Sequence, residues 1–281
     1  MEILMSQSMY TEFAKLHRDS VPLKLPNIWD TGSAVLFQAA GARALATSSA
    51  ALAWSLGYAD GGALPRAGLL GAIRRIARVA RVPLSVDIED GYSDDPAEVS
   101  KLVAAIAEAG VVGINIEDGA GTAGLLCDKL IAVRKALGDR PLFINARTDV
   151  YLRGLASGEE AVALTLDRLR AYHRAGADGA FVPGLTSIDE AAQIAAGMPM
   201  PLNLMALPGM VGVAALFAAG VRRFSVGPAI FQAAYGRAFE LARRISEGGE
   251  VEGLFGQDLD YERLNAEFAE VAVSESDALP V

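Results

Sequence analysis

The stretch Glu108-Ala109-Gly110-Val111-Val112-Gly113-Ile114-Asn115-Ile116-Glu117-Asp118-Gly119 contains the unit from which this chain is built. A helical pattern ends at Gly110, an apolar run typical of a buried strand follows at once, and acidic residues come directly after that run. Glycine is favoured at such a helix end because the closing residue often adopts a left-handed conformation, which costs glycine little. The same succession recurs along the chain, so the fold is predicted from its repetition.

Three other places repeat this turn from a helix into a strand. An Ala-Gly pair closes a helical pattern at Gly41, Gly176 and Gly220, and an apolar run begins a few residues later. Most of the runs are too apolar to alternate, which is typical of parallel strands covered on both faces. The predicted strands lie near Leu23–Pro26, Ala42–Thr47, Leu84–Ile88, Gly113–Ile116, Leu142–Ala146, Ala180–Val182, Leu202–Met205 and Phe224–Val226.

Eight strands with helices between them predict an α/β protein with a closed (β/α)8 TIM barrel. Such a barrel needs about 250 residues, and this chain has 281. The alternative is an open doubly wound sheet, which is less favoured because no Gly-x-Gly-x-x-Gly follows the first strand. We expect a single domain, with the barrel and an N-terminal helix in residues 1–246. Residues 247–281 would form a polar linker, a helix over Asp258–Val271 and a tail.

Composition limits the partners and the compartment. The chain has 25 basic and 34 acidic residues, a net charge of −9, which argues against nucleic acid and anionic membranes as partners. One cysteine and no signal-peptide pattern predict a cytoplasmic protein without disulfides. The uncharged stretch Ala191–Val221 is long enough to cross a bilayer. Prolines interrupt it, so a buried strand, a loop and a helix are predicted there.

Acidic side chains follow two neighbouring predicted strands at their C-terminal ends, where barrel enzymes place their chemistry. Asp87 and Glu89 lie on the same face of the third strand because strand side chains alternate, and Glu117 ends the next strand. Three carboxylates directed at one cavity repel each other unless a cation lies between them. Mg²⁺ is therefore the predicted cofactor, since it prefers carboxylate and water oxygens.

Polar residues at other strand ends extend this candidate site. Arg147 ends the fifth strand, and its planar guanidinium suits a carboxylate held through two hydrogen bonds. Ser48 and Ser49 follow the second strand, and Asn203 lies on the seventh. Each feature alone also fits a structural role, as a cap, a turn or half of an ion pair. Their coincidence at successive strand ends favours a site.

The histidines and the cysteine are interpreted as structural. His17 and His173 lie on predicted helices, and Cys127 lies within a helical run as a small buried apolar residue. Two histidines and one cysteine are also too few for an ordinary zinc site. Zinc is therefore not expected.

These motifs resemble those of the isocitrate lyase/phosphoenolpyruvate mutase superfamily, over roughly residues 25–244. The motifs that carry the resemblance are Val86–Tyr92, Ile114–Asp118 and Asn145–Asp149, together with Ser48–Ala50 and Ser55–Asp60 in the position of a substrate loop. The resemblance implies a small-molecule substrate, a 2-oxo carboxylate or an enolpyruvate. It also implies a homo-oligomer, a dimer or a tetramer.

The resemblance assigns roles to individual residues. Asp87 would hold Mg²⁺ mainly through water, and Glu89 and Glu117 would order that water shell. Arg147 would neutralise substrate charge, and Asp60 would lie near the metal shell. The catalytic residues would then be Arg147, Glu117 and Asp60.

The remaining implied contacts concern substrate binding. Ser48, Ser49 and Ala50 would bind the substrate carboxylate, partly through backbone N–H groups, beside Arg147. Asn203 would line the pocket. Members of the superfamily cleave or form C–C or C–P bonds, and Mg²⁺ with arginine stabilises an enolate oxygen as charge develops there.

One segment departs from the superfamily. Lyases carry a gating loop similar to Lys-Lys-Cys-Gly-His after the glutamate of the fourth strand, whereas this chain has Gly119-Ala120-Gly121-Thr122-Ala123-Gly124-Leu125-Leu126-Cys127. The Lys and Asn of the mutase loop are also missing. Cleavage of isocitrate or methylisocitrate by the usual acid is therefore not expected, and phosphoryl migration is not favoured either. Between the two classes, C–C bond chemistry of a lyase, hydrolase or decarboxylase type is ranked slightly ahead of phosphoenolpyruvate/phosphonopyruvate mutase chemistry.

Two further hypotheses stay open. A barrel that binds a 2-oxo acid without turning it over would explain the lost gating residues. An aldolase-type barrel that binds phosphate at Gly227-Pro228 would need a Schiff-base lysine, and no lysine lies at a predicted strand end.

Overall fold

The computed structural model describes residues 2–210, 212–249, 251, 254–255 and 259–272. Within these residues, nine strands form one parallel sheet in the order β1-β9-β8-β7-β6-β5-β4-β3-β2. The strands are β1 (Leu23–Leu25), β2 (Asn27–Ile28), β3 (Leu45–Thr47), β4 (Leu84–Asp87), β5 (Gly113–Glu117), β6 (Phe143–Arg147), β7 (Gly179–Phe181), β8 (Leu202–Met205) and β9 (Val221–Ser225).

The first two strands together form one position of a barrel. Leu23 in β1 lies opposite Arg223 in β9, and Asn27 in β2 lies opposite Ala46 in β3. Only Pro26 separates β1 from β2, and proline has no N–H group for a sheet hydrogen bond. The two edges of the sheet therefore meet at residue 26 and the barrel is nearly closed. The predicted (β/α)8 barrel is confirmed, with its first strand divided in two.

Helices alternate with the strands, and most of them cover the outside of the barrel. They are α1 (Glu2–Leu16), α2 (Thr31–Ala39), α3 (Ser49–Ser55), α4 (Arg66–Val79), α5 (Pro96–Glu108), α6 (Ala123–Leu137), α7 (Gly158–Arg174), α8 (Ile188–Ala196), α9 (Val213–Ala218), α10 (Ala229–Ser246) and α11 (Tyr261–Ala272). In α5, Val99, Val103 and Ile106 are fully buried against the strands. This outer layer of apolar contacts is the main core.

Helix α1 closes the N-terminal end of the barrel. Phe13 is fully buried and its ring meets the Phe143 ring edge-on, with 5.5 Å between the ring centroids. His17 stacks on the same ring at 4.1 Å. Gly113 leaves room for this plug, because a Cβ atom there would lie 2.6 Å from Cε1 of Phe13. The interior of the barrel is therefore apolar at this end.

After β9 the described residues contain two more helices, α10 and α11. Helix α11 packs beside α2, and Arg81 contacts the backbone carbonyl of Glu270. The predicted C-terminal helix is present from Tyr261, while Asp258 and the tail after residue 272 lie outside the described residues. The division into residues 1–246 and 247–281 stays a prediction.

The uncharged stretch Ala191–Val221 does not form a long helix. It contains most of α8, strand β8 and helix α9, as expected from its prolines. Among the described helices, none is both long and apolar enough to cross a membrane.

Candidate active site

Asp87 lies at the C-terminal end of β4 and is almost completely buried. Its backbone N–H donates to Oγ1 of Thr47 at 2.9 Å. Its carboxylate accepts one hydrogen bond from the backbone N–H of Glu89 at 3.1 Å and one from Nδ2 of Asn115 at 3.0 Å. Contacts to both oxygen atoms therefore hold the carboxylate in one orientation.

The loop after β4 has a strained backbone. Glu89 and Tyr92 adopt positive φ angles of 51° and 58°, which cost non-glycine residues about 1–3 kcal/mol each. The Tyr92 hydroxyl donates to Oε1 of Glu89 at 2.6 Å, and buried Lys129 donates to the carbonyl of Asp90 at 2.8 Å. These contacts keep the Glu89 carboxylate beside Asp87 in spite of the strain. Such strain is concentrated at functional sites in proteins.

Arg147 lies between two carboxylates of its own chain. Arg147 pairs with Glu117 in the register of β5 and β6, and its Nη1 lies 2.5 Å from Oε2 of Glu117. Its Nε and Nη2 donate to the two carboxylate oxygens of Asp149 at 2.6 and 2.9 Å. A guanidinium has five N–H groups, so these three contacts leave two for another ligand. Arg147 therefore forms ion pairs within the chain, which was one of the roles that the sequence allowed for it.

Burial and like charge change the protonation of this group. Burial raises the pKa of Glu117 to about 8; Arg147 opposes the change, and Asp87, Asp149 and Glu89 add to it. Burial also raises the pKa of Glu89, against the hydrogen bond from the Tyr92 hydroxyl, while nearby Asp60 and Asp87 raise it further. Carboxyl groups are therefore crowded at the ends of β4 and β5, and their simultaneous ionisation is disfavoured.

The arrangement fits a cation held through water more closely than one held by three carboxylates directly. In the part of the chain that the structure describes, no three His, Cys, Asp or Glu side chains are grouped to bind one ion. Asp87, Glu89 and Glu117 nevertheless influence one another electrostatically. Mg²⁺ usually keeps several waters and takes only one or two carboxylates.

Three of the predicted substrate-binding residues, Ser48, Ser49 and Ala50, lie at the start of α3. Ser48 caps α3 by accepting from the N–H of Ala51 at 3.3 Å, and its own N–H donates to the carbonyl of Ile28 at 3.1 Å. Ser49 and Ala50 are the first residues of α3, so helix geometry gives their N–H groups no partner in a preceding turn. Of the predicted backbone donors, those of Ser49 and Ala50 are available and that of Ser48 is not.

Asn203 and Asp60 are the remaining predicted site residues. Asn203 is buried inside the barrel on β8, and its Nδ2 donates to Oγ of Ser225 at 3.3 Å. Asp60 lies in the exposed segment between α3 and α4, close enough to raise the pKa of Glu89. The structure thus brings Asp60 near the carboxylates.

A polar layer beneath Asp87 was not predicted from the sequence. Nη2 of buried Arg223 donates to Oδ1 of Asn115 at 3.0 Å, and Nδ2 of Asn145 donates to the same oxygen at 2.9 Å. Burial lowers the pKa of Arg223 to about 9 against the opposing effect of Asp87, so the guanidinium is protonated at neutral pH. The sequence did contain a signal for this layer. By strand alternation, Asn115, Asn145 and Arg223 occupy inward positions, where apolar side chains are usual.

Asp118 also escaped the sequence analysis as a site residue. Its fully buried carboxylate accepts from Oγ1 of Thr148 at 2.7 Å, the N–H of Asp149 at 2.9 Å, Nη1 of Arg168 at 2.7 Å and the hydroxyl of Tyr172 at 2.6 Å. These four contacts fix the segment that follows β6. Asp118 therefore positions Asp149, the carboxylate that accepts hydrogen bonds from Arg147.

The segment after β5 is a short turn that leads into α6. The backbone turns over residues 119–122, and Oγ1 of Thr122 caps the helix by accepting from the N–H of Leu125 at 3.1 Å. Cys127 lies within α6 and packs against the outer core, and burial raises the pKa of its thiol. The chain's cysteine is therefore a packing residue, as the sequence indicated.

Carboxylates and an arginine at the C-terminal ends of parallel barrel strands lie where barrel enzymes have their active sites. The family model described as phosphoenolpyruvate phosphomutase matches residues 13–246. The chain therefore belongs to the phosphoenolpyruvate phosphomutase family, within the isocitrate lyase/phosphoenolpyruvate mutase superfamily.

Several relatives are similar to this chain. An uncharacterized protein of Mycobacterium tuberculosis is 36% identical over 244 residues, which cover 85% of this chain and 90% of that one. The 2-methylisocitrate lyase of Salmonella typhimurium is 34% identical over 175 residues, 59% of each chain. The oxaloacetate decarboxylase of Bradyrhizobium sp. is 31% identical over 222 residues, 74% of each chain. Two of these three relatives are therefore named as enzymes.

Among solved structures, a protein of Burkholderia cenocepacia J2315, provisionally described as a phosphonomutase, is 37% identical to this chain. It superposes with a TM-score of 0.80, and the match covers 84% of this chain and 99% of the other. The barrel described above is therefore the fold of a solved relative.

Proposed function

We propose that this protein is a Mg²⁺-dependent enzyme that acts on a small 2-oxo carboxylate or enolpyruvate through an enolate and cleaves or forms a C–C bond. The crowding of Asp87, Glu89 and Glu117 beside Arg147 carries this proposal. Buried carboxylates that repel each other become charged together only when a cation compensates them. Membership of an enzyme family on this fold supports the same conclusion.

Asp87 is the residue that would hold the ion. Each of its oxygens accepts one protein hydrogen bond and keeps a second lone pair for water or metal. Glu89 and Glu117 would accept hydrogen bonds from the water shell. Bound Mg²⁺ would supply positive charge next to a developing enolate oxygen.

Arg147 would stabilise the negative charge of the substrate. Asp149 and Glu117 hold its guanidinium in place before a ligand arrives, so little side-chain entropy is lost on binding. Its two remaining N–H groups are donors for a carboxylate or an enolate oxygen. The N–H groups of Ser49 and Ala50 would donate further hydrogen bonds to the substrate carboxylate.

C–C chemistry is favoured over migration of a phosphoryl group by the composition of the segment after β5. Residues 119–124 contain only glycine, alanine and Thr122, whose hydroxyl caps α6. Arg153 approaches this turn but donates to the carbonyl of Gly119 at 2.5 Å. The 2-methylisocitrate lyase and oxaloacetate decarboxylase among the relatives support C–C chemistry as well.

Steady-state assays with oxaloacetate, 2-methylisocitrate and phosphonopyruvate, each with Mg²⁺ and with EDTA, test this proposal. We expect Mg²⁺-dependent turnover of a C–C substrate that Asp87→Asn abolishes. The matched control is Asp94→Asn on the same loop, whose side chain is 87% exposed, and it should retain activity. Turnover of phosphonopyruvate alone would favour the mutase alternative. Mg²⁺-dependent oxalate binding without any turnover would favour a binding barrel.

A further inference from the structure

Arg223 is a charged side chain in the interior of the barrel with few partners. It is 1% exposed, and its guanidinium carbon lies 5.8 Å from the centroid of the Phe13 ring that plugs the barrel from below. Among the described residues, its Nε and Nη1 have no hydrogen-bond partner. Burying a charge with so little compensation is costly. A residue retained at such a cost is a candidate for a role beyond packing.

The remaining nitrogen of Arg223 connects it to Asp87. Nη2 donates to Oδ1 of Asn115, and Nδ2 of Asn115 donates to Oδ2 of Asp87, each at 3.0 Å. Asn145 donates to the same Oδ1 atom. An amide oxygen accepts and an amide nitrogen donates, so two donors on one side of Asn115 fix its orientation. The link from the guanidinium to the carboxylate is therefore directional.

We infer that Arg223 sets the charge balance of the site proposed above. Its buried charge, linked to Asp87 through Asn115, offsets the carboxylates so that the site accepts an anionic ligand beside a cation. The inference rests on the proposed function, since it concerns the same metal and the same anion. Arg223 itself contacts neither of them.

An electrostatic role predicts opposite changes for the two ligands. Loss of the buried positive charge makes the site more negative, so a divalent cation binds more tightly and an anion binds more weakly. For a doubly charged ligand about 10 Å away, at an effective dielectric constant of about 20, one unit charge changes the affinity by at least about tenfold. A purely structural role would weaken both ligands together.

The neighbouring arginine offers a matched control. Arg222 precedes Arg223 on β9 and lies on the opposite face of the strand, where it stacks on Phe217 and donates to the carbonyl of that residue at 3.1 Å. Arg222→Met removes the same charge from the outside of the barrel. Arg223→Met removes it from the inside, and Arg223→Lys keeps the charge there.

The experiment measures two affinities of the full chain. Mn²⁺ alone is titrated by electron paramagnetic resonance, and oxalate is titrated by calorimetry at saturating Mg²⁺. For Arg223→Met we expect Mn²⁺ to bind at least about tenfold more tightly and oxalate at least about tenfold more weakly. Arg222→Met and Arg223→Lys should stay within about twofold of the unchanged protein. If Arg223→Met does not fold, Arg223→Gln is the second neutral variant.

The other outcomes of this experiment overturn either the inference about Arg223 alone or the proposed function as well. Loss of both affinities in Arg223→Met, or a result equal to that of Arg222→Met, overturns the inference and leaves the proposed function intact. An unchanged protein that binds neither Mn²⁺ nor oxalate overturns the proposed function, and the role of Arg223 with it.

Discussion

Each end of the barrel interior contains a buried titratable side chain, and burial shifts the pKa values of the two side chains in opposite directions. At the N-terminal end, burial lowers the pKa of His17 to about 3, with the charge of nearby Arg223 acting in the same direction. At the C-terminal end, burial raises the pKa of Glu117 to about 8, and Arg147 opposes the change. Desolvation favours the neutral form in both cases. The difference lies in the charged neighbours: Glu117 has the oppositely charged Arg147, whereas Arg223 and Arg18 near His17 carry the same sign as an imidazolium.

The neighbours of the two groups explain what each end does. His17 lies between Phe13 and Phe143, with 4.7 and 4.1 Å between ring centroids, so its neutral ring is part of the plug. Glu117 lies against a guanidinium and near other carboxylates. One end therefore contributes stability, and the other contains the carboxylates of the proposed metal site. Substitutions at the two ends should separate these two properties.

The largest effect is expected from Phe13→Ala at the N-terminal end. Removal of this fully buried ring should lower the free energy of unfolding by about 3–5 kcal/mol, because a cavity remains beneath the polar layer. Urea denaturation measures the loss, and Mn²⁺ affinity of the folded variant should stay near that of the unchanged protein. Val21→Ala, at a half-exposed position, is the control. An equal loss of Mn²⁺ affinity would show that the two ends are not separate.

The converse substitution is Asp87→Asn at the C-terminal end. It keeps the shape of the side chain and removes its charge, so Mn²⁺ affinity should fall at least about 100-fold, or about 2.7 kcal/mol. The free energy of unfolding should change less than in Phe13→Ala. Metal titration of Asp94→Asn provides the control on the same loop. Unchanged Mn²⁺ affinity in Asp87→Asn would remove Asp87 from the metal site.

The pH dependence of stability tests the N-terminal end alone. The pKa of His17 is about 3 in the folded chain and 6.5 as a model value, so below pH 6.5 the unfolded chain binds a proton that the folded chain does not. Stability is therefore lost as the pH falls from 6.5 towards 3. This site should account for about 2 kcal/mol between pH 7 and pH 5.

His17→Phe should remove that part of the pH dependence, measured by urea denaturation at both pH values. The matched control is His173→Gln on the exposed side of α7, which should keep the slope of the unchanged protein. Equal slopes for His17→Phe and the unchanged protein would contradict a buried neutral imidazole.

The smallest effect is expected from Tyr92→Phe at the C-terminal end. The variant loses the 2.6 Å hydrogen bond to Glu89, which contributes about 1 kcal/mol. Mn²⁺ affinity should fall about fivefold, because Glu89 is then held less firmly over a strained backbone. Tyr261→Phe, at a position 80% exposed, should change nothing. A Tyr92→Phe variant with full affinity would make this contact dispensable.

Much of the fold could be predicted because its signals are local. Glycines that close helices and apolar runs that follow them occur within a few residues of each other, and the predicted strands are present in the structure. The break of the first strand at Pro26 was not predicted. Pieces of three and two residues carry no periodicity of their own, and only pairing with β9 on one side and β3 on the other defines them.

The candidate site was predicted in outline for a related reason. Parallel strands bring their C-terminal ends to one end of a barrel, so Asp87, Glu89, Glu117 and Arg147 were expected to lie together. The structure places them so, and Arg147 contacts Glu117 directly. The hydrogen bonds from Arg147 to Asp149 were not predicted, because the orientation of Asp149 depends on Asp118 and on the helix that follows.

By itself, the sequence determined which residues end the strands, how the helices close and that the chain carries an excess of acidic side chains. Only the tertiary structure decided that Arg223 meets Asn115, a residue 108 positions away in the chain. Local patterns report on neighbours within a turn or a strand, because only those residues share a backbone geometry. The contacts across the interior exist only once the sheet has closed, and they determine which charges are paired and which are left for a ligand.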